Sequence, residues 1–252
     1  MCPDIRHFGE TIFRQSQLAM SRLLKLLGLI CKKHKIPYWI GWGTLLGAVR
    51  HKGYIPWDVD TDVGILIDDV QKFIQAASKD LPKDIFLQTN ETDQGFAKYA
   101  YKGWMKLRDL NSCYGNNVRT NEPLQDGLQV DIFFFQKENI NNTNHLYEPF
   151  DHMRYLDKDI FPLQTIKYEG FDVNCPQNIE SFLEKFYGTS YMTYPKVQCP
   201  NQENGYIPIP WYSCKHLENL AEKDKSNLFR HFLIPYRTLS KCQNRQIKSA
   251  PN

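Results

Sequence analysis

The stretch IPWDVDTDVG, residues 55–64, carries Asp58, Asp60 and Asp62 at every second position, with apolar residues on both sides. Alternate side chains of a β-strand point to the same face, so an extended chain here gathers three carboxylates. Carboxylates at such short range raise one another's pKa unless a cation neutralises them. Oxygen ligands of this kind suit Mg²⁺ or Mn²⁺. The stretch therefore predicts a metal-binding strand, although a solvated acidic edge strand would give the same alternation.

The same spacing is similar to a calcium-binding loop, and this alternative is excluded by its details. An EF-hand loop needs Gly at its sixth position and Glu at its twelfth. Counted from Asp58, the sixth position is Val63 and the twelfth is Asp69. The intervening apolar residues also favour a strand over a calcium loop.

A further carboxylate interrupts the apolar run LQVDIFFF, residues 128–135. Apart from Gln129, Asp131 is the only polar residue in this predicted strand. A buried carboxylate is costly unless it is hydrogen-bonded, paired or metal-bound. If this strand lies beside the first, Asp131 joins the other carboxylates around one cation or a pair of cations. A hydrogen-bonded core aspartate is the alternative.

The segment GWGTLLGAVR, residues 41–50, leads from a predicted strand into a predicted helix over residues 45–50. Free backbone N–H groups at a helix N-terminus favour anions. Gly43 permits close approach of the backbone, Thr44 can donate its hydroxyl, and Arg50 can offer its guanidinium to a phosphate. An ordinary tight turn would have the same sequence, but the aspartates downstream favour a phosphate-binding turn.

Lys106 and Arg108 are candidates for contacts with a charged substrate. They stand two residues apart in a strand predicted over residues 98–108, so one face of that strand carries both. There they can neutralise charge that develops in a transition state. Exposed strand cations without a function would show the same spacing.

Periodicity predicts the remaining elements. Helices are predicted over residues 12–35, from Asp68 or Asp69 through 81, over 145–156 and over 179–187. Further strands are predicted over residues 38–42, 55–67, 85–89, 165–168 and 171–173, the last two joined by a turn at Glu169-Gly170. The chain after residue 195 is predicted to be irregular.

Charge and composition narrow the class of protein. The 31 basic residues nearly balance the 28 acidic ones, for a net charge of +3, which argues against a nucleic-acid partner. The longest apolar run near the N-terminus, residues 26–31, is too short to cross a bilayer, and the first ten residues lack the apolar core of a signal peptide. The seven cysteines form no CxxC motif, which argues against a zinc site.

Four motifs resemble, in the same order along the chain, the motifs of the LicD family. This family includes bacterial phosphocholine transferases and the animal fukutin and fukutin-related proteins. They are GTLLGAVRHKGYIPWDVDTDVG, KLRD at residues 106–109, GLQVDIFFF, and FPLQTIKYEGFDVNCPQNIESFLEKFYGTSYMTYP at residues 161–195. The resemblance divides the chain into an N-terminal extension over residues 1–14, a family domain over 15–195, and an irregular extension with a basic tail over 196–252.

The resemblance implies an α/β (α+β) nucleotidyltransferase-like fold with a mixed sheet flanked by helices. It further implies a transferase that moves phosphocholine or ribitol phosphate from a CDP-activated donor to a sugar hydroxyl of a glycan. Asp60, Asp62 and Asp131 would be its catalytic residues. Together with Asp58 they would bind Mg²⁺ or Mn²⁺, and Asp131 would help to deprotonate the incoming hydroxyl.

Three questions stay open at the level of the sequence. A nucleotidyltransferase that attacks an NTP and a non-catalytic scaffold of the same fold are alternatives to the transferase. The chain itself shows no membrane span, so we expect a cytoplasmic protein, or a protein of the Golgi or secretory lumen if an anchor precedes residue 1. The donor head group and the acceptor sugar do not follow from the motifs.

Overall fold

A mixed β-sheet flanked by helices forms the centre of the protein, as expected for an α/β fold. The structure is a computed structural model that describes residues 2–99, 103–115, 126–194 and 207–212. The strands are β1 Tyr38–Ile40, β2 Asp62–Leu66, β3 Ile85–Gln88, β4 Trp104–Asp109, β5 Cys113–Gly115, β6 Gln129–Ile140, β7 Thr143–Glu148, β8 Met153–Leu156, β9 Gln164–Tyr168, β10 Phe171–Cys175 and β11 Ile207–Ile209. The helices are α1 Ile12–His34, α2 Trp42–His51, α3 Val70–Asp80, α4 Gln94–Tyr99, α5 Asp157–Ile160 and α6 Ile179–Tyr187.

The strands of the main sheet follow the order β1-β2-β6-β4-β3. Strands β2 and β6 run parallel, whereas the other neighbours are antiparallel. The second half of β6 leaves this sheet to pair with β7, which in turn pairs with β8. Strand β6 is therefore central, with β2 on one side and β4 on the other.

One face of the sheet is apolar because alternate residues of the central strands are aliphatic. Val63, Leu107, Val130 and Ile132 are each at most 1% exposed. Helix α1 covers β4 and β6 on the core side and also packs against α3. The residues between these aliphatic positions point to the other face, where the polar groups described below lie.

Three long predicted helices are confirmed as α1, α3 and α6. The predicted hairpin is also confirmed as β9 and β10, and its turn residues Glu169 and Gly170 have φ values of +50° and +82°. Two consecutive residues with positive φ are what a two-residue hairpin turn requires. The hairpin and these three helices could thus be read from local signals alone.

The helix predicted over residues 145–156 is wrong, because this segment forms β7 and β8. Asn141 and Asn142, with φ of +50° and +61°, make a tight turn that sends β7 back along β6. Pro149 follows β7 directly, and proline does not fit the interior of a helix.

The strand predicted over residues 98–108 is only partly right. Helix α4 ends at Tyr99 and the regular strand β4 begins at Trp104. The strand predicted over residues 55–67 is also too long, since β2 begins at Asp62 and a short 3-10 turn starts at Ile67. Asp58 and Asp60 therefore belong to an irregular segment that precedes the strand.

In the part of the chain that the structure describes, no helix is long and apolar enough to cross a membrane. Cys113 is disulfide-bonded, whereas Cys2, Cys31 and Cys175 are free and buried.

Candidate active site

A row of polar side chains crosses four neighbouring strands on the face opposite the apolar core. Asp62 of β2 is in register with Asp131 of β6, Asp131 with Lys106 of β4, and Lys106 with Gln88 of β3. Residues in register across neighbouring strands point to the same face and have Cβ atoms about 5 Å apart. The sheet therefore brings Asp62, Asp131 and Lys106 together, as the sequence predicted for the two carboxylates.

Both oxygens of Asp131 face a neighbouring polar group. Lys106 Nζ lies 2.6 Å from Oδ1, and the amide nitrogen of Gln129 donates a hydrogen bond of 2.9 Å to Oδ2. The lysine contact does not have the angles of a good hydrogen bond, so it is chiefly electrostatic. Both charged side chains are only 8% exposed. Burial lowers the pKa of Lys106 to about 8, although Asp131 opposes this shift.

Asp58, Asp60 and Asp62 form an acidic cluster at the start of β2. The pKa of Asp58 is raised well above its ordinary value by burial, and further by the Asp60 carboxylate. The pKa of Asp62 is also raised well above its usual range by burial, and then by Asp60 and Asp131. The three carboxylates that the sequence predicted to share a face therefore do act on one another.

The start of α2 packs directly against this cluster. A Cβ atom at Gly43 would lie 2.8 Å from Asp58 Oδ2, so only glycine leaves room for that carboxylate. Thr44 is 2% exposed and its Oγ1 accepts a hydrogen bond of 2.8 Å from the Asp62 N–H. Both residues were predicted to contact a phosphate. In the structure, Gly43 lies against Asp58 and Thr44 binds the backbone of Asp62.

Trp42, the first residue of α2, has a φ of +43°, a left-handed conformation that side chains with a Cβ rarely adopt. Such backbone strain costs of order 1–3 kcal/mol and persists only where the surroundings hold it. Here the indole is 5% exposed and packs against Phe133 and Phe182, with ring centroids 4.7 and 5.8 Å away. The aromatic core thus holds the turn that presents Gly43.

Arg50 lies in the last turn of α2, and its guanidinium is engaged with other parts of the chain. Its Nη1 donates a hydrogen bond of 2.9 Å to the carbonyl of Tyr191, and its Nε donates to His51 Nε2 at 3.0 Å. The guanidinium carbon also lies 5.2 Å from the centre of the Tyr194 ring. Arg50 therefore connects α2 to the segment that follows α6.

Arg108 is buried one row away from the carboxylates. Its Nε donates to Gln88 Oε1 and its Nη1 to the Gly127 carbonyl, each at 2.8 Å. Lys106 and Arg108 are 6% and 5% exposed, so the reading of both as exposed strand cations is wrong. They share one face of β4, as the sequence predicted, and Arg108 helps to lower the pKa of Lys106.

The donor chemistry of the acidic cluster fits a divalent cation. Burial and then the Asp60 carboxylate raise the pKa of both Asp58 and Asp62, and a hard cation would relieve this electrostatic repulsion. Within the described ranges, no three His, Cys, Asp or Glu side chains converge closely enough to form a ready-made metal centre. Asp131, the fourth predicted ligand, is already engaged by Lys106 and Gln129.

Sequence reasoning missed two residues that face the cluster. The charge of Asp151, in the turn between β7 and β8, contributes to the raised pKa of Asp62. Tyr187, at the end of α6, has its pKa raised by burial and then by Asp62, Asp58 and Asp60. The sequence alone marked Tyr187 only as the last residue of a helix.

Comparison with known proteins identifies the family. The model of the LicD/FKTN/FKRP nucleotidyltransferase domain matches residues 35–178, which is more than half of the chain. This segment contains the acidic cluster, α2 and the row from Asp62 to Gln88. The protein therefore belongs to the LicD/FKTN/FKRP family.

Three curated relatives illustrate the similarity. The chain is 38% identical over 78 residues to the lipopolysaccharide cholinephosphotransferase LicD of Haemophilus influenzae, covering 31% of the chain and 29% of the relative. It is 26% identical over 167 residues to human ribitol 5-phosphate transferase FKRP, covering 66% and 30%. It is 25% identical over 208 residues to human ribitol-5-phosphate transferase FKTN, covering 78% and 39%. The chain thus spans less than half of the length of each of these relatives.

Proposed function

We propose that the protein is a metal-dependent transferase that moves a phospho-alcohol group from a CDP-activated donor to a sugar hydroxyl of a glycan. The observation that carries this proposal is the in-register row of Asp62, Asp131 and Lys106 beside Asp58 and Asp60. The support from relatives is that one is named a cholinephosphotransferase and others ribitol phosphate transferases. Phosphocholine and ribitol phosphate are both phospho-alcohol groups.

The acidic cluster is the proposed binding site for Mg²⁺ or Mn²⁺. Asp58, Asp60 and Asp62 would hold the cation, which when bound neutralises charge on the diphosphate of the donor. Asp131 completes the site only if it exchanges its contact with Lys106. Its proposed role in accepting the proton of the acceptor hydroxyl stays a prediction, and its present contacts make it an anchor for Lys106.

The buried cations and the turn at α2 complete the proposed site. Lys106 of β4 lies beside Asp131 of β6, which holds it in place, so its charge would lie where a phosphate develops charge during transfer. Arg108, which lies opposite Gln129 on the same face of β4, adds a second positive charge close to Lys106. Gly43 keeps the backbone of α2 free of a side chain at the carboxylates.

The test is release of CMP from CDP-choline and from CDP-ribitol, with sugar acceptors and Mg²⁺ or Mn²⁺. The full chain is expected to release CMP with one of these donors and to stop when EDTA is added. The double variant Asp60→Ala/Asp62→Ala is expected to lose the activity. Asp68→Ala is a matched control, since Asp68 is an exposed carboxylate just after β2. Metal-dependent activity that persists in the double variant would refute this assignment of the site.

The nature of the product separates the proposal from its alternatives. Release of pyrophosphate from an NTP, with no CMP from either donor, would indicate a nucleotidyltransferase. No turnover together with no measurable affinity for Mn²⁺ would indicate a non-catalytic scaffold.

A further inference from the structure

Tyr187 brings helix α6 to the acidic cluster, although it is remote from the cluster in sequence. Its hydroxyl oxygen lies 3.9 Å from the position that a Cβ atom would take at Gly43. The same position lies 2.8 Å from Asp58 Oδ2. The phenol of Tyr187 and the carboxylate of Asp58 therefore both lie close to Gly43 at the start of α2.

The position of Tyr187 is fixed by its surroundings. Helix α6 packs against α2 through Phe182 and Phe186, whose rings lie 5.8 and 6.5 Å from Trp42. The Phe186 ring also contacts the Tyr187 ring edge to face, with centroids 4.8 Å apart. The helix ends at Tyr187 with Gly188 as its C-cap, and Arg50 holds the following segment through the Tyr191 carbonyl. The phenol is thus presented by a braced helix end.

The hydroxyl of Tyr187 is the group through which this residue can contact a ligand. Within residues 2–99, 103–115, 126–194 and 207–212, no group forms a hydrogen bond with it, and the residue is 38% exposed. A tyrosine hydroxyl has an ordinary pKa of about 10, so the group is neutral at physiological pH. A neutral hydroxyl can donate to an anionic oxygen without adding charge to the acidic cluster.

We propose that Tyr187 is a substrate-binding residue of this site and that its hydroxyl donates a hydrogen bond to a phosphate oxygen of the diphosphate donor. The proposal rests on the proposed function, because it assumes that the diphosphate of the donor binds at the acidic cluster. It extends that function by adding a contact from α6 to the groups on α2, β2, β4 and β6. A phosphate oxygen suits this site better than an apolar group, because Tyr187 offers a hydroxyl donor and the neighbouring carboxylates would recruit a cation.

The direct test is isothermal titration calorimetry of the full chain with CDP in the presence of Mn²⁺. Tyr187→Phe removes the hydroxyl and keeps the ring that packs against Phe186. A hydrogen bond to a charged group contributes about 1.5–3 kcal/mol, so the dissociation constant for CDP should rise roughly ten- to a hundredfold. Affinity for Mn²⁺ alone should not change. Tyr194→Phe is the matched control, because Tyr194 is an exposed tyrosine of the neighbouring segment, and it should bind CDP like the wild type.

The outcomes separate this proposal from the proposed function. An unchanged dissociation constant for CDP in Tyr187→Phe, an equal rise in Tyr194→Phe, or weaker Mn²⁺ binding in Tyr187→Phe would each overturn the role of the hydroxyl. Absence of CDP binding by the wild type would overturn it as well. If the wild type releases no CMP but Tyr187→Phe still binds CDP more weakly, the contact from the Tyr187 hydroxyl is supported and the proposed transferase activity is refuted.

Where turnover is measurable, the kinetic constants give a second readout. We expect Tyr187→Phe to raise KM for the CDP donor and to leave KM for the sugar acceptor unchanged. A rise in the acceptor KM alone would assign the hydroxyl to the sugar and overturn the proposal.

Discussion

Removing Lys106 tests how much the buried ion pair of Lys106 and Asp131 contributes to the stability of the fold. Lys106→Met keeps most of the side-chain volume and leaves the Asp131 carboxylate without its cation, opposite Asp62 on the next strand. Breaking a buried ion pair by removing one partner costs about 3–5 kcal/mol, because an uncompensated charge stays buried. The free energy of unfolding of Lys106→Met should therefore fall by about 3–5 kcal/mol.

Urea unfolding, followed by tryptophan fluorescence without reductant, measures this change. With an m value of about 2–3 kcal/mol/M for a chain of this size, the midpoint should fall by about 1–2.5 M. A double-mutant cycle with Asp131→Asn isolates the pair, since an asparagine can still accept the hydrogen bond from Gln129. Contacting residues of this kind show coupling energies of about 0.5–3 kcal/mol. The double variant should therefore be more stable than the sum of the two single changes predicts.

The matched control is an ion pair of the same residue types on the surface. Lys167 and Asp172 face each other on β9 and β10 at 2.9 Å and are 65% and 63% exposed. Lys167→Met should change the free energy of unfolding by less than about 1 kcal/mol, because water screens exposed pairs. Equal effects of Lys106→Met and Lys167→Met, or strictly additive effects in the cycle, would refute the argument from burial.

Two further changes test the start of α2. Gly43→Ala places a methyl group 2.8 Å from Asp58 Oδ2, so it should displace that carboxylate. The affinity for Mn²⁺, measured by calorimetry, should therefore fall. An unchanged affinity would show that Asp58 is not a ligand. Thr44→Val removes the acceptor for the Asp62 N–H and should lower the free energy of unfolding by about 1–3 kcal/mol in urea, whereas Thr44→Ser keeps the hydroxyl and should retain most of it.

Local signals were sufficient for the elements whose form depends on their own sequence. Helices α1, α3 and α6 have apolar residues at helical spacing, and the turn at Glu169-Gly170 is a short-range hairpin signal. The prediction of a helix over residues 145–156 failed because the apolar residues of this segment also fit helical spacing. Pro149 argues against a helix here, and the two adjacent asparagines before the segment favour a tight turn.

The site could be predicted only in part because its contacts join distant segments. The sequence predicted that Asp60, Asp62 and Asp131 would converge, and the parallel pairing of β2 with β6 brings Asp62 and Asp131 into register. It did not predict that β4 would lie on the other side of β6 and pair Lys106 with Asp131. Strand order is set by packing across the whole sheet, so no pattern within one segment could reveal this pair.

The register that creates the row is fixed by the same alternation that builds the core. In β6, Val130 and Ile132 point to the apolar face and are at most 1% exposed, while Gln129 and Asp131 point to the other face. A slip of one residue would exchange the two faces and bury the carboxylate among aliphatic side chains. Burial of Val130 and Ile132 therefore holds Asp131 opposite Lys106, and a change that weakens the core side of β6 should also weaken the site.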